Sequence, residues 1–171
     1  APAYDGRPVW VSGAEADGKA EVVGVLKEAG ANIDDGAEPG ADSLILVTPV
    51  GDDATTAAVD QGLDPERTVA VDTVVGFGRR RTLMTTPVTD PAFRDAAHGV
   101  MSADGVPATV VNDGPGFVAQ RIIAMICNVG CSVAQYGVAS PEDIDKAVTL
   151  GLNYPYGPLE FGDRIGPARI L

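Results

Sequence analysis

The sequence predicts an α/β domain followed by an all-α helical domain, and three observations carry that expectation. Short β-prone apolar runs alternate with helical patterns over the first two thirds of the chain. Gly (21) and Pro (13) cut those runs into segments instead of gathering in one linker. The hydrophobic period then becomes wholly helical after Asn112-Asp113-Gly114-Pro115-Gly116. That hinge-like knot sets the expected boundary, dividing residues 1–111 from residues 112–171. With 171 residues, 45% hydrophobic and 21% charged, the chain holds enough apolar material for a packed interior.

Taken in order, residues 9–11 form a short buried-strand signal, Gly13 and Gly18 a turn, and residues 19–29 a helix that stops at Gly30. Residues 31–33 are a second short strand candidate and 44–47 a strongly β-prone run. Residues 53–61 form a helix, and 69–71 another strand. Strands alternating with helices imply a parallel sheet covered on both faces. Two further strands are expected at 81–86 and 108–111, joined by a helix over about 91–103 with Phe93, Ala97, Val100 and Met101 inward. Beyond the knot, residues 117–136 place Ile122, Ile126, Val129, Val133 and Tyr136 on one stripe. Ala119, Ile123, Gly130 and Ala134 fall on another of mostly small residues. A helix apolar on two faces must be covered twice, by this chain or by a second copy. Ser140, Pro141 and Asp143 announce the next helix start and Gly151 its expected end; residues 158–166 repeat the pattern on a shorter scale.

Composition excludes several functions. Twelve Lys and Arg against 24 Asp and Glu leave a net charge of −12, which repels polyanions, so no nucleic acid partner is expected. No apolar run approaches the ~20 residues of a membrane span, and two Cys suit a reducing, cytoplasmic setting. The start at Ala1 and the apolar end suggest a piece of a longer polypeptide.

The first strand-turn-helix invites a dinucleotide reading, with Gly13 and Gly18 in the turn and Asp34 about 20 residues downstream for a ribose contact. The remnant is degenerate. Its middle glycine falls on Glu15, and Asp17 adds a second negative charge where a pyrophosphate would sit. Two like charges ~4 Å apart repel by roughly 4 kcal/mol at an effective dielectric near 20. Residues 13–20 also approach the spacing of a P-loop, but Ala20 stands where a magnesium-binding hydroxyl belongs. His98, the single histidine, sits among alanines as a helix-surface or half-buried residue. No carboxylate pair, nucleophile set or metal cluster assembles around it by spacing. Cys127 and Cys131, four apart, read as small core residues, and Arg79-Arg80-Arg81 as a solvated turn.

From Asn112 onward the motifs become specific. Asp113-Gly114-Pro115-Gly116-Phe117, Arg121, Asn128, the run Gly137 to Asp145, Leu150-Gly151 and Tyr154-Pro155-Tyr156-Gly157-Pro158-Leu159-Glu160 with Asp163 resemble the C-terminal helical domain of the 3-hydroxyacyl-CoA dehydrogenases. Residues 9–30, 43–49 and 68–73 are similar to a shortened form of that family's Rossmann domain. The resemblance implies a truncated Rossmann-like domain followed by an all-α domain like the C-terminal one of 6-phosphogluconate dehydrogenase. In particular it implies the second, reduced repeat of a long bacterial form linked to fatty-acid or phenylacetate-type acyl-CoA oxidation.

The family's proton-accepting His lies in a His-Phe-Phe-Asn-Pro segment, with a Glu in the next strand to orient it. The corresponding stretch here reads Val74-Val75-Gly76-Phe77-Gly78, then Arg81-Thr82-Leu83-Met84-Thr85-Thr86, without either residue. The Asn that lies near the acyl group in the family corresponds to Gln120, the substrate-proximal position. The expectation is therefore a non-catalytic structural and dimerisation module with no catalytic residue and no metal. NAD would serve the parent enzyme and would not be bound by this chain; acyl-CoA is a possible ligand. Partners would be another copy or the catalytic repeat. The rival is a weak NAD or acyl-CoA binding domain using Asp34.

Overall fold

The computed structural model describes residues 1–12, 18–75 and 77–170. The elements run β1 (Val9–Val11), α1 (Lys19–Glu28), β2 (Leu44–Val47), α2 (Ala54–Asp60), β3 (Thr68–Val71), β4 (Arg81–Thr85), α3 (Pro91–Val100), β5 (Ala108–Val111), α4 (Ala119–Gln135), α5 (Pro141–Leu152), α6 (Pro158–Ile165) and α7 (Pro167–Ile170). They divide into two compact units, Ala1–Phe117 and Val118–Leu171.

The first unit is a five-stranded sheet in the order β1-β2-β3-β4-β5. β1, β2 and β3 are parallel, with Val9 opposite Leu44 and Ile45 opposite Thr68. The all-parallel expectation is corrected at β4, which runs antiparallel to β3 with Val69 opposite Thr85, before β5 pairs with it in parallel. The connection explains the reversal. Only residues 72–80 join the two strands, whereas a parallel return takes a crossover of a dozen or more residues. The short strand expected at 31–33 reduces to one parallel bridge, Val9 to Ile33.

Period-two alternation divides the sheet's apolar residues between two layers. Val9, Val11, Leu44, Leu46, Val69, Val71 and Leu83 pack with α1 and α3 on one face. Ile45, Val47, Ala70 and Met84 pack with α2 and Phe117 on the other. Asp53 caps α2 by accepting from Thr56 N at 2.7 Å. The head of that helix is also held by Asp113, whose Oδ1 accepts from Ala54 N at 2.9 Å and whose Oδ2 accepts from the Thr55 hydroxyl. Asp113 of the glycine-proline knot is thus a clasp on α2.

In the second unit α4, α5 and α6 pack on one another. Gly130 permits a close crossing: a Cβ there would stand 2.6 Å from Pro158 Cβ at the head of α6. The small-residue stripe of α4 is therefore covered by this chain's own α6. Ser140 caps α5 as expected, its hydroxyl accepting from Asp143 N at 3.2 Å. Gly151 does not end the helix; α5 runs to Leu152 and stops at Asn153, whose φ of 55° places it in the left-handed region.

Candidate functional site

The residues expected to form a dinucleotide remnant are only partly within view, since Gly13 and residues 14–17 lie outside the described residues. Gly18 caps α1 at φ 83°, and a Cβ on it would overlap the side chain of Thr73, which follows β3. The backbone at the head of α1 is packed against the chain's own threonine. Asp34 leaves the Val9–Ile33 bridge with its N–H donating to Val9 O at 2.9 Å. Its Oδ1 accepts from Gly36 N at 3.0 Å; its Oδ2 accepts from Gly40 N at 2.8 Å and the Ser43 hydroxyl at 2.5 Å. These bonds, the Ser43 hydroxyl foremost, hold its carboxyl below the usual range. Arg67 Nη1 clamps the far side of the same loop by donating to the carbonyls of Gly40 and Ala41 at 2.7 and 2.8 Å. Three donors occupy most of the roughly four acceptor directions of a carboxylate, so Asp34 folds its own loop.

The segment between β3 and β4 holds no histidine, and the single His98 is half-buried on α3. Arg79 and Arg80 of the basic run are exposed, as a solvated turn requires, and the expectation is corrected only at Arg81. Arg81 is only 3% exposed, on β4, with Nη1 donating to Met101 O at 2.7 Å and to Asp104 Oδ1 at 2.8 Å, and Nη2 to Asp104 Oδ2 at 2.6 Å. Its guanidinium stacks 5.1 Å above the Phe77 ring centroid. A buried strand end needed a counter-charge, and Asp104 in the turn after α3 supplies it.

In the second unit Gln120 is buried in the first turn of α4 and takes part in an interaction there. One turn on, the outer stripe of α4 opens into an apolar groove of about 460 Å³. Ile122, Met125, Val129 and Val133 form one wall; Ile144, Val148 and Leu152 of α5, with Tyr154 and Pro158, form the other. Ile122, Met125, Val129 and Leu152 are all more than half exposed, at 51%, 64%, 62% and 62%. Sequence reasoning found the α4 stripe and expected the helix over 140–150 to share its interface, but missed Met125 and named no residue of the α5 wall. Met125 lies three residues beyond Ile122 and four before Val129, the spacing that could have revealed it.

Cys127 is buried and Cys131 is exposed, which corrects the reading of both as core residues. Burial, with Cys131 adding to it, pushes the Cys127 thiol up. Among the described residues no three His, Cys, Asp or Glu side chains group to hold a metal, and no helix is long and apolar enough to cross a membrane.

The fold is similar to that of (S)-3-hydroxybutyryl-CoA dehydrogenase from Ralstonia eutropha. That structure is similar over 95% of this chain and 55% of its own, with a TM-score of 0.67 and 25% identity. The 3-hydroxybutyryl-CoA dehydrogenase structure from Escherichia coli matches 74% of this chain and 26% of its own, with a TM-score of 0.62 and 33% identity. Residues 116–170 match the family model for the 3-hydroxyacyl-CoA dehydrogenase C-terminal domain. Among curated relatives, 3-hydroxyadipyl-CoA dehydrogenase of Escherichia coli is 35% identical over 76% of this chain and 26% of its own length. 3-Hydroxybutyryl-CoA dehydrogenase of Clostridioides difficile is 46% identical over 38% of this chain and 23% of its own. The helical segment 116–170 is thus similar to the 3-hydroxyacyl-CoA dehydrogenase C-terminal domain, and the curated relatives it resembles are named as 3-hydroxyacyl-CoA-type dehydrogenases. The chain spans about a quarter of the length of those curated relatives.

Of the described residues at this end of the sheet, Asp34 accepts three hydrogen bonds from its own loop, and the Thr73 side chain faces Gly18 at the head of α1.

Proposed function

We propose that the chain is the second, reduced repeat of a bacterial NAD-dependent 3-hydroxyacyl-CoA dehydrogenase, and that it acts in the cytoplasm by packing and not by catalysis. Oxidising a secondary alcohol needs a base for the hydroxyl proton as well as a hydride acceptor, and general-base catalysis is worth ~10² to 10⁴-fold by itself. The sole histidine lies on α3, away from the sequence segment where the family places its base. The observation that carries the reading is the α4–α5 groove, whose apolar walls include four side chains more than half exposed. Isolated apolar residues on a surface are ordinary, but a continuous groove of them marks a contact surface. A second copy would bury it isologously, each α4 ridge entering the other's groove. The catalytic repeat of the parent protein is the other partner to test.

Sedimentation of the purified chain across a hundredfold concentration range tests this, with a dimer expected at the upper end. A strict monomer that also fails to bind the catalytic repeat would overturn the packing role. NADH-dependent reduction of acetoacetyl-CoA by the chain alone at enzymatic rates would overturn the non-catalytic role. Saturable heats with NADH or acetoacetyl-CoA would favour the reading of a weak binding domain.

A further inference from the structure

Cys127 and Cys131 stand on successive turns of α4, four residues and about 6 Å of helix rise apart. Both thiols are free, and both line one hollow of about 270 Å³ between α4, α6 and α7. Cys127 is 2% exposed at the inner end, and Cys131 is open to solvent. Gly162 of α6 forms part of the wall: a Cβ built on it would lie 4.0 Å from Cys127 Sγ, so α6 offers no side chain at that point to cover the thiol.

We propose that this pair is a two-sulfur site for a soft monovalent cation of the Cu(I) type. Three physical arguments select that ligand class. Thiolates prefer soft cations over the hard ones that take carboxylates and water. The count of donors excludes a structural zinc centre, which needs four, since no third His, Cys, Asp or Glu completes a cluster among the described residues. A d10 monovalent ion is satisfied by two sulfurs in a line. The same spacing disfavours the competing fate of the thiols. A disulfide needs Cβ atoms about 3.5–4.5 Å apart, whereas side chains four apart on a helix hold theirs at about 5–6 Å. An interposed ion spans that gap without unwinding α4. Binding is not a redox step: each thiol gives its proton to solvent, and two sulfur–metal bonds form.

The test is anaerobic titration of the whole chain with Cu(I), in competition with a chromophoric chelator. The expected result is one ion per chain and a thiolate-to-metal absorption band in the near ultraviolet. Cys131→Ser, at an exposed position that leaves the fold intact, should weaken binding at least 100-fold, and Cys127→Ala should do the same. Unchanged affinity in Cys131→Ser would overturn the site. So would an ion shared by two chains through Cys131 alone, or Zn(II) held as tightly as Cu(I).

Discussion

Asp145 of α5 caps α6 across a gap that only a glycine leaves open. Its Oδ1 accepts from Leu159 N at 2.8 Å and its Oδ2 from Glu160 N at 3.2 Å, while a Cβ on Gly157 would overlap the Asp145 side chain. Gly157 has an ordinary φ of −73°, so the requirement is for space and not for backbone freedom. Gly157→Ala should therefore destabilise the helical unit by about 1–3 kcal/mol, and Asp145→Ala by about 1–2 kcal/mol. In urea unfolding the double variant should cost less than the sum of the two, because each change removes the same contact.

The Arg81–Asp104 pair makes a second prediction. Asp104→Ala leaves a 3%-exposed guanidinium without its counter-charge and should cost about 2–3 kcal/mol. Arg81→Lys should not preserve stability, because an ammonium cannot reproduce the two-pronged contact. The urea midpoints of the three proteins at neutral pH decide it.

Acid should reveal the same pair. The Arg81 guanidinium holds the Asp104 carboxyl at about 2, below its ordinary 3.8. A carboxyl depressed on folding stabilises fully above its unfolded value and loses that contribution as pH falls through the folded one. The gain is about 1 kcal/mol after discounting for solvent screening, since the carboxylate is partly exposed. Comparing the native protein with Asp104→Asn, the stability gap should be full at pH 5 and should narrow between pH 4 and pH 2. A gap independent of pH would refute the electrostatic origin.

The groove predicts a separation of association from folding. Val129 and Met125 are 62% and 64% exposed, so Val129→Glu and Met125→Glu should leave the thermal midpoint within a few degrees. Each should raise the dissociation constant for self-association by more than tenfold, because a carboxylate would be buried without a partner. Sedimentation equilibrium reads both.

Asp34 separates a structural acid from a cofactor ligand. Asp34→Ala removes three hydrogen-bond acceptances in its loop and should lower stability by about 1–3 kcal/mol. Calorimetric titration with NADH should give the same absence of saturable heat before and after the change.

Much of the fold was legible because its signals are local. The alternation of β-prone runs with capped helices gave the five strands and most helices, and Ser140 with Pro141 marked the start of α5. What was hidden depends on tertiary context. The reversal at β4 turns on the length of the 72–80 connection, and the burial of Arg81 turns on Asp104, 23 residues away. Gly151 resembled a terminator, yet a solvent-exposed glycine within a helix costs only ~1 kcal/mol, and Asn153 provides the stop instead. Of the candidate site, the residue order shows directly that the segment between β3 and β4 carries no histidine, whereas which α5 side chains wall the groove required knowing where α5 packs.

Asp113 and Phe117 bear on where this protein can be cut. Asp113 grips the head of α2, and Phe117 plugs the sheet face beneath it. An excised sheet domain ending at residue 111 would shed both the latch and the stopper, whereas six more residues would keep them. Segments that look like a tether between halves can therefore be the keystone of the half they leave.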